Sequence, residues 1–221
     1  MIGGKKVKNK KELERRAYSF EVRAEKNGND YIIKGRPIVY ESETDIGGLF
    51  RESISRGALD GADLTDVRFL VNHNTSMIPL ARSRRNNGNS TMQLSVDFEG
   101  MTITTKLDVD NNSDARSLYS AVERGDITGM SFMFSIEDEE WEDLQSDYPL
   151  RKVKKIGSVV EVSACTWPAY EQTEIYSRSK EALENARSVV ETARQQNGAS
   201  LESELELEKA KFYAKIGGNK R

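Results

Sequence analysis

Apolar and polar residues alternate with a period of two in many short segments of this chain. That spacing commits it to strands, because successive strand side chains point to opposite faces. Tyr18, Phe20, Val22 and Ala24 alternate with polar neighbours, as do Met92, Leu94, Val96 and Phe98. Asn27-Gly28 is a hairpin turn signal, so Tyr31–Tyr40 reads as the returning strand, with Pro37 at an edge or a bulge because it has no N–H to donate. Asn86–Asn89 and Glu99-Gly100 are further turns, and Thr102–Val109 closes a second hairpin. Val67–Val71 is a compact apolar strand that ends at Asn72-His73-Asn74, and Leu80–Ser83 begins another.

Residues 41–66 read as loop and short helix around Leu49–Leu59. One internal helix is expected after Ser113 or Asp114, whose side-chain oxygens suit an N-cap. Ala115, Leu118, Tyr119 and Val122 share one helical face, and Gly125 ends the helix. Ile127–Ile136 reads as a strand, Glu137–Asp147 as an acidic loop holding Trp141, and Val153–Ile156 and Ser158–Cys165 as the last strands, closed by Trp167-Pro168. After Ser179 the spacing turns helical, with Ala182, Leu183, Ala186, Val189, Val190 and Ala193, a break at Asn197-Gly198, and a second stretch marked by Leu201, Leu205, Phe212 and Ile216.

The organisation expected is a basic flexible arm over 1–16, one domain over 17–178, and a helical C-terminal extension over 179–221. The fold class expected is α+β: a mainly antiparallel barrel or strongly curved sheet with a few helices packed outside, plus the helical tail.

Composition narrows the function. The 221 residues carry a net charge of −3, which argues against a protein built to wrap nucleic acid. Arg82, Arg84 and Arg85 form a short cluster without interleaved aromatics, too little for a nucleic-acid site. No apolar run approaches the ~20 residues that span a bilayer, and no signal peptide is read at the N-terminus. The single cysteine, Cys165, forbids an internal disulfide and suits a reducing compartment such as the cytosol. The single histidine, His73, excludes a metal site built on several histidines, and no cofactor is expected. Any imidazole base must be His73.

A serine nucleophile needs a base within hydrogen-bond reach, and the base needs a third group that fixes its tautomer. The chain offers these parts at three strands. His73 follows the apolar run Val67–Val71, although a lone histidine is commonly a surface or satisfied residue. Ser131 follows Gly129-Met130, with Met130, Phe132 and Phe134 on one face and Ser131, Met133 and Ser135 on the other. Glu161 shares a face with Ser163 and Cys165, opposite Val160, Val162 and Ala164, and a carboxylate there is costly to bury without a partner. Each residue also has a bland reading: a strand serine, a solvated glutamate, a surface histidine. Cys165 is a minor alternative nucleophile.

Together the segments are specific. Val67–His73, Ala121–Phe134 and Glu161–Tyr170 resemble the three signature blocks of the prohead maturation proteases of tailed phages, the serine peptidases typified by phage HK97, and Phe50–Leu59 resembles the family's segment before the histidine. The resemblance runs from about Ala17 to Thr173 in family order. Cys165 and Trp167 depart from the residues the family often shows there. The resemblance implies a fold like that of the herpesvirus assemblin proteases, a β-barrel wrapped by helices. It also implies a His–Ser–acid triad of His73, Ser131 and Glu161. Assemblin relatives use a second histidine as third member; with His73 alone, an acid is expected. The implied activity is an endopeptidase that cleaves scaffold and capsid proteins, and itself, inside the assembling prohead in the host cytoplasm. The implied partners are the phage major capsid protein and its scaffolding domain, with self-association possible in principle. The competing expectation is a non-enzymatic scaffolding or capsid-assembly protein that kept the fold.

Overall fold

The computed structural model describes residues 13–18, 22–166 and 180–217. Residues 1–12, which hold most of the expected basic arm, lie outside the described residues, as do Phe20, Trp167-Pro168 and the expected boundary near Arg178. In chain order the elements are β1 (Leu13–Tyr18), β2 (Val22–Asn27), β3 (Asp30–Val39), β4 (Thr44–Ile46), β5 (Phe50–Ile54), β6 (Asp66–Val71), β7 (Ala81–Arg84), β8 (Met92–Asp97), β9 (Gly100–Leu107), α1 (Ser113–Arg124), β10 (Gly129–Glu142), β11 (Leu150–Cys165) and α2 (Lys180–Gly217).

The molecule is α+β and mostly strand, but the described strands do not close into the expected barrel. They form a four-stranded antiparallel sheet, ordered β2-β3-β9-β8, and a seven-stranded sheet along β1-β10-β11-β5-β4, with β6 joining β11 and β7 joining β6. Two pairings are parallel: Leu150–Val153 of β11 with β5, and Glu161–Ala164 of β11 with β6. The chain from Phe50 to Val71 thus runs twice along one edge of β11, and between the two contacts Ser55–Asp63 keeps hydrogen bonds to Val153, Ile156 and Gly157. That geometry leaves β1, β4 and β7 as strand edges instead of a closed ring. The two sheets share one core, with Ile33, Ile38, Met92, Met101 and Ile103 from one and Phe69, Phe132, Phe134 and Val162 from the other, all at most 2% exposed.

The hairpin alternations form strands as the spacing predicts, and Pro37 falls where the β3–β9 register shifts between Gly35 and Ile38. The helix α1 presents Ala115, Leu118, Tyr119 and Val122 to the core. Its cap is Asn112, whose Oδ1 accepts from the amides of Asp114 at 2.9 Å and Ala115 at 3.2 Å, and Gly125 closes it in the left-handed region at φ 79°.

Further local expectations are corrected. Leu13–Arg16, expected in the flexible arm, are strand β1 paired antiparallel to β10. Residues 41–66 hold no helix; Phe50, Glu52 and Ile54 all turn inward and β5 joins the sheet. Glu137–Glu142 are not a loop but the outer half of β10, because the facing stretch of β11 is basic: Lys152 pairs with Glu142 at 2.5 Å, Lys154 with Glu140 at 3.5 Å and Lys155 with Glu137 at 3.3 Å. In the C-terminal region α2 runs unbroken through Asn197-Gly198. It rests Ala186 and Val190 on Ile46 and Phe50, and Arg194 donates to the carbonyls of Leu144 at 2.9 Å and Ser146 at 2.7 Å.

Candidate active site

The central hairpin β10–β11 sets the site's floor. Antiparallel register places Ser131 directly opposite Ser163 and Met133 opposite Glu161. The register then skips Val160, since Phe134 pairs with Val159; the extra residue bends the strand just past the site. Ser131, Ser163 and Glu161 therefore sit together on one face of the hairpin, and all are at most 3% exposed.

His73 reaches that face through an unusual turn. At the end of β6, Asn72 and His73 both adopt left-handed backbone, at φ 50° and 55°. Two consecutive non-glycine residues in that region cost on the order of 1 kcal/mol or more each, and such cost is sustained only where surrounding bonds dictate the conformation. Those bonds are present. The Asn72 amide donates to the Ala164 carbonyl at 3.0 Å, the His73 amide to Ser163 Oγ at 3.0 Å, and the Asn74 amide to the Val71 carbonyl at 3.0 Å. Asn72 Oδ1 accepts from the Thr166 amide at 3.0 Å and its hydroxyl at 3.2 Å. The turn folds the imidazole back over β11.

Both ring nitrogens then find partners. His73 Nδ1 lies 2.7 Å from Glu161 Oε2, and His73 Nε2 lies 2.5 Å from Ser131 Oγ. The buried carboxylate is satisfied at both oxygens, because Ser163 Oγ donates a short hydrogen bond to Oε1. A carboxylate at this depth would be costly alone; two donors compensate it and orient the imidazole with Nδ1 protonated and Nε2 toward the serine. The structure thus brings His73, Ser131 and Glu161 together in one hydrogen-bonded chain. The bland alternative of a solvated glutamate does not describe Glu161.

Cys165 lies on the same strand but is chemically quiet. Burial, with the nearby Glu161 charge, pushes its thiol up to about 12, so it holds almost no thiolate near neutrality. The arginine cluster is also committed elsewhere in part: Arg82 grips Asp66 at 2.5 and 2.6 Å.

Sequence reasoning passed over two sets of residues here. Ser163 was placed on the correct face but given no task; its i+2 spacing from Glu161 on a strand is the signal that could have found it. Arg16 and Glu52 were not singled out at all. The Ser131 hydroxyl donates to the Arg16 carbonyl at 2.7 Å, and the Arg16 guanidinium is held by Glu52, with Nη2 2.9 Å from Oε2.

Comparison with known proteins gives the setting. A family model described as the caudovirus prohead serine protease matches residues 18–188. The chain belongs to that family. Among the family's curated members, the prohead protease of Enterobacteria phage HK97 is 25% identical over 170 residues, which span 76% of this chain and 70% of that protein. Among solved structures, the capsid assembly protease of bacteriophage T4 is similar at 11% identity with a TM-score of 0.42, covering 72% of this chain and all of that one. For a prohead protease, the hydrogen-bonded chain at the β10–β11 hairpin is the one cluster among the described residues in which the sole histidine meets a hydroxyl and a carboxylate.

Proposed function

We propose that this prohead protease is a serine endopeptidase in which Ser131 is the nucleophile, His73 the general base and Glu161 the acid that orients it. It cleaves the scaffolding domain and capsid protein of a tailed phage inside the assembling prohead, in the host cytoplasm, and also cleaves itself. The observation that carries the reading is the continuous chain Glu161–His73–Ser131, at 2.7 and 2.5 Å.

The chemistry follows from that order. His73 Nε2 takes the Ser131 proton as Oγ attacks a peptide carbonyl, and the imidazolium formed is stabilised by the Glu161 carboxylate against Nδ1–H. Backbone amides hold the tetrahedral oxyanion. His73 then protonates the leaving amine, and water, deprotonated by the same imidazole, releases the acyl group from Ser131.

The chain's extension fits this setting. The first part of α2 rests Ala186 and Val190 on the protease body. Gln195–Gly198 and Leu205–Lys209 are exposed, and Leu205 and Leu207 are each 56% exposed, which suits a segment that docks on scaffold or is removed by self-cleavage.

The test is Ser131→Ala, expressed together with the capsid and scaffold proteins. Cleavage of both is expected to stop while the circular dichroism spectrum stays unchanged. Normal processing by that variant would remove Ser131 from the mechanism and favour the non-enzymatic scaffold reading.

A further inference from the structure

The nucleophile is covered by the protein's own chain. Strand β1 adds antiparallel to the free edge of β10, with Ala17 opposite Ser131, so the Arg16–Ala17 peptide bond lies against the serine. The Ser131 hydroxyl donates to the Arg16 carbonyl, and Ser131 has no exposed surface. An extended segment laid on a sheet edge is a general way to hold a peptide: main-chain bonds supply affinity, and pockets for alternate side chains supply selectivity.

The alternate side chains of β1 meet such pockets. Arg15 is exposed, whereas Glu14 and Arg16 point under the strand toward the sheet. Arg16 is 7% exposed and bound by Glu52 of β5, which is fully buried. Glu14 is gripped by Arg151 of β11, whose two terminal nitrogens lie 2.9 and 3.0 Å from its oxygens. Arg151 also contacts Glu52 at 3.2 Å, so one buried anion and one buried cation stand side by side beneath β1. Burial pushes the Glu14 carboxyl up, but Arg16 and Arg151 together hold it below the usual carboxylate range. Buried ion pairs are a poor way to anchor a strand permanently, since apolar residues of similar volume commonly do so with less desolvation cost. They do give selectivity, because a mismatched charge in the same place is rejected.

The pose is also unproductive. A carbonyl about to be attacked directs its oxygen into hydrogen-bond donors, whereas the Arg16 oxygen accepts the proton of the nucleophile itself. The serine proton is thereby shared away from His73.

We infer that the outer edge of β10 is the peptide-binding groove. Glu52 selects a basic side chain on the residue whose carbonyl faces Ser131, Arg151 selects an acidic side chain two residues before it, and β1 plugs the groove as the chain's own copy of such a peptide. The substrate class is an extended segment of pattern acidic-any-basic. This rests on Ser131 being the nucleophile.

The test uses irreversible phosphonates on the full-length chain, with modification of Ser131 followed by mass spectrometry. A diphenyl phosphonate carrying Glu-Ala-Arg is expected to label Ser131 at least about tenfold faster than one carrying Arg-Ala-Glu. Glu52→Gln should shrink that preference severalfold, Arg151 still favouring the leading glutamate, and the Glu52→Arg/Arg151→Glu pair should invert it. Equal rates on the unaltered protein overturn the groove assignment without recourse to any variant. So does a preference left undiminished in a folded Glu52→Gln protein. A small fluorophosphonate with no peptide separates the two readings: if it labels Ser131 while the peptide reagents do not discriminate, the nucleophile stands and the groove falls. If none of the reagents modifies Ser131, even in a folded Glu14→Ala/Arg16→Ala protein whose plug has lost its charged anchors, both fall.

Discussion

Ser163 shows how one hydroxyl can govern a site without touching substrate. It accepts from the His73 amide and donates to Glu161 Oε1, so it ties the strained Asn72-His73 turn to the carboxylate that orients the imidazole. Removing it leaves a buried carboxylate oxygen and a backbone amide short of partners. A hydrogen bond to a charged group is worth ~1.5–3 kcal/mol, so Ser163→Ala should lower kcat by roughly ten- to a hundredfold while KM stays near its original value. Ser163→Thr, which keeps the hydroxyl, should recover most of the loss; steady-state kinetics on one peptide substrate reads both. At this scale the sequence was informative only in combination. His73, Ser131 and Glu161 each had an ordinary explanation, and their meeting depends on a register that skips Val160 and on two left-handed residues. Neither has a compositional mark: Asn72 tolerates such a backbone, but His73 adopts it because Ser163 holds its own amide and Ala164 that of Asn72.

Among the elements, strands with one apolar face were legible and strands polar on both faces were not. Met92, Leu94 and Met101, Ile103 alternate cleanly and form the β8–β9 hairpin. The outer half of β10 reads as an acidic loop because its partner's lysines lie a dozen residues away, and cross-strand charge pairing leaves no period in hydrophobicity. Strand β1 escaped notice for a related reason: its inward positions are Glu14 and Arg16, charges that no core pattern would place inside. The turn at Glu99-Gly100 is the clearest case of a sequence signal with a steric cause. Gly100 has φ +144°, and a Cβ there would stand 2.0 Å from the Ile38 carbonyl oxygen, a backbone atom of the central strand β3. Gly100→Ala should therefore force β9 away from β3 and destabilise the protein by about 3 kcal/mol or more, read as the shift of the urea midpoint.

Over the whole molecule, two sheets and their shared core follow from the hairpin pattern, whereas the open arrangement does not. A barrel and an open pair of sheets demand the same alternation within each strand; what separates them is the parallel pairing of β5 and β6 with β11, which is a long-range matter. The same long-range arrangement couples the plug to acidity. Glu14 has its carboxyl held below the usual value near 4.5 in the folded chain, so the stabilisation it brings to β1 is complete above that value and is lost as pH falls through the lower, folded one. Amide exchange across Glu14–Tyr18, corrected for intrinsic rates, should stay slow at neutral pH and rise on acidification before the β10–β11 hairpin opens. An exchange rate for β1 that tracks the hairpin at every pH would deny a separately releasable strand.

The double run of Phe50–Val71 along β11 has a consequence in time. β5 and β6 come off the ribosome long before residues 150–165, and β1 earlier still, yet β5 and β6 each lack one of their two sheet neighbours, and β1 its sheet neighbour, until the last hairpin emerges. Glu161 and Arg151 arrive on that same hairpin. Under the proposed mechanism a nascent chain that already carries His73 and Ser131 still lacks its acid, and the strand that brings Glu161 also brings Arg151, the partner of Glu14 in the proposed plug.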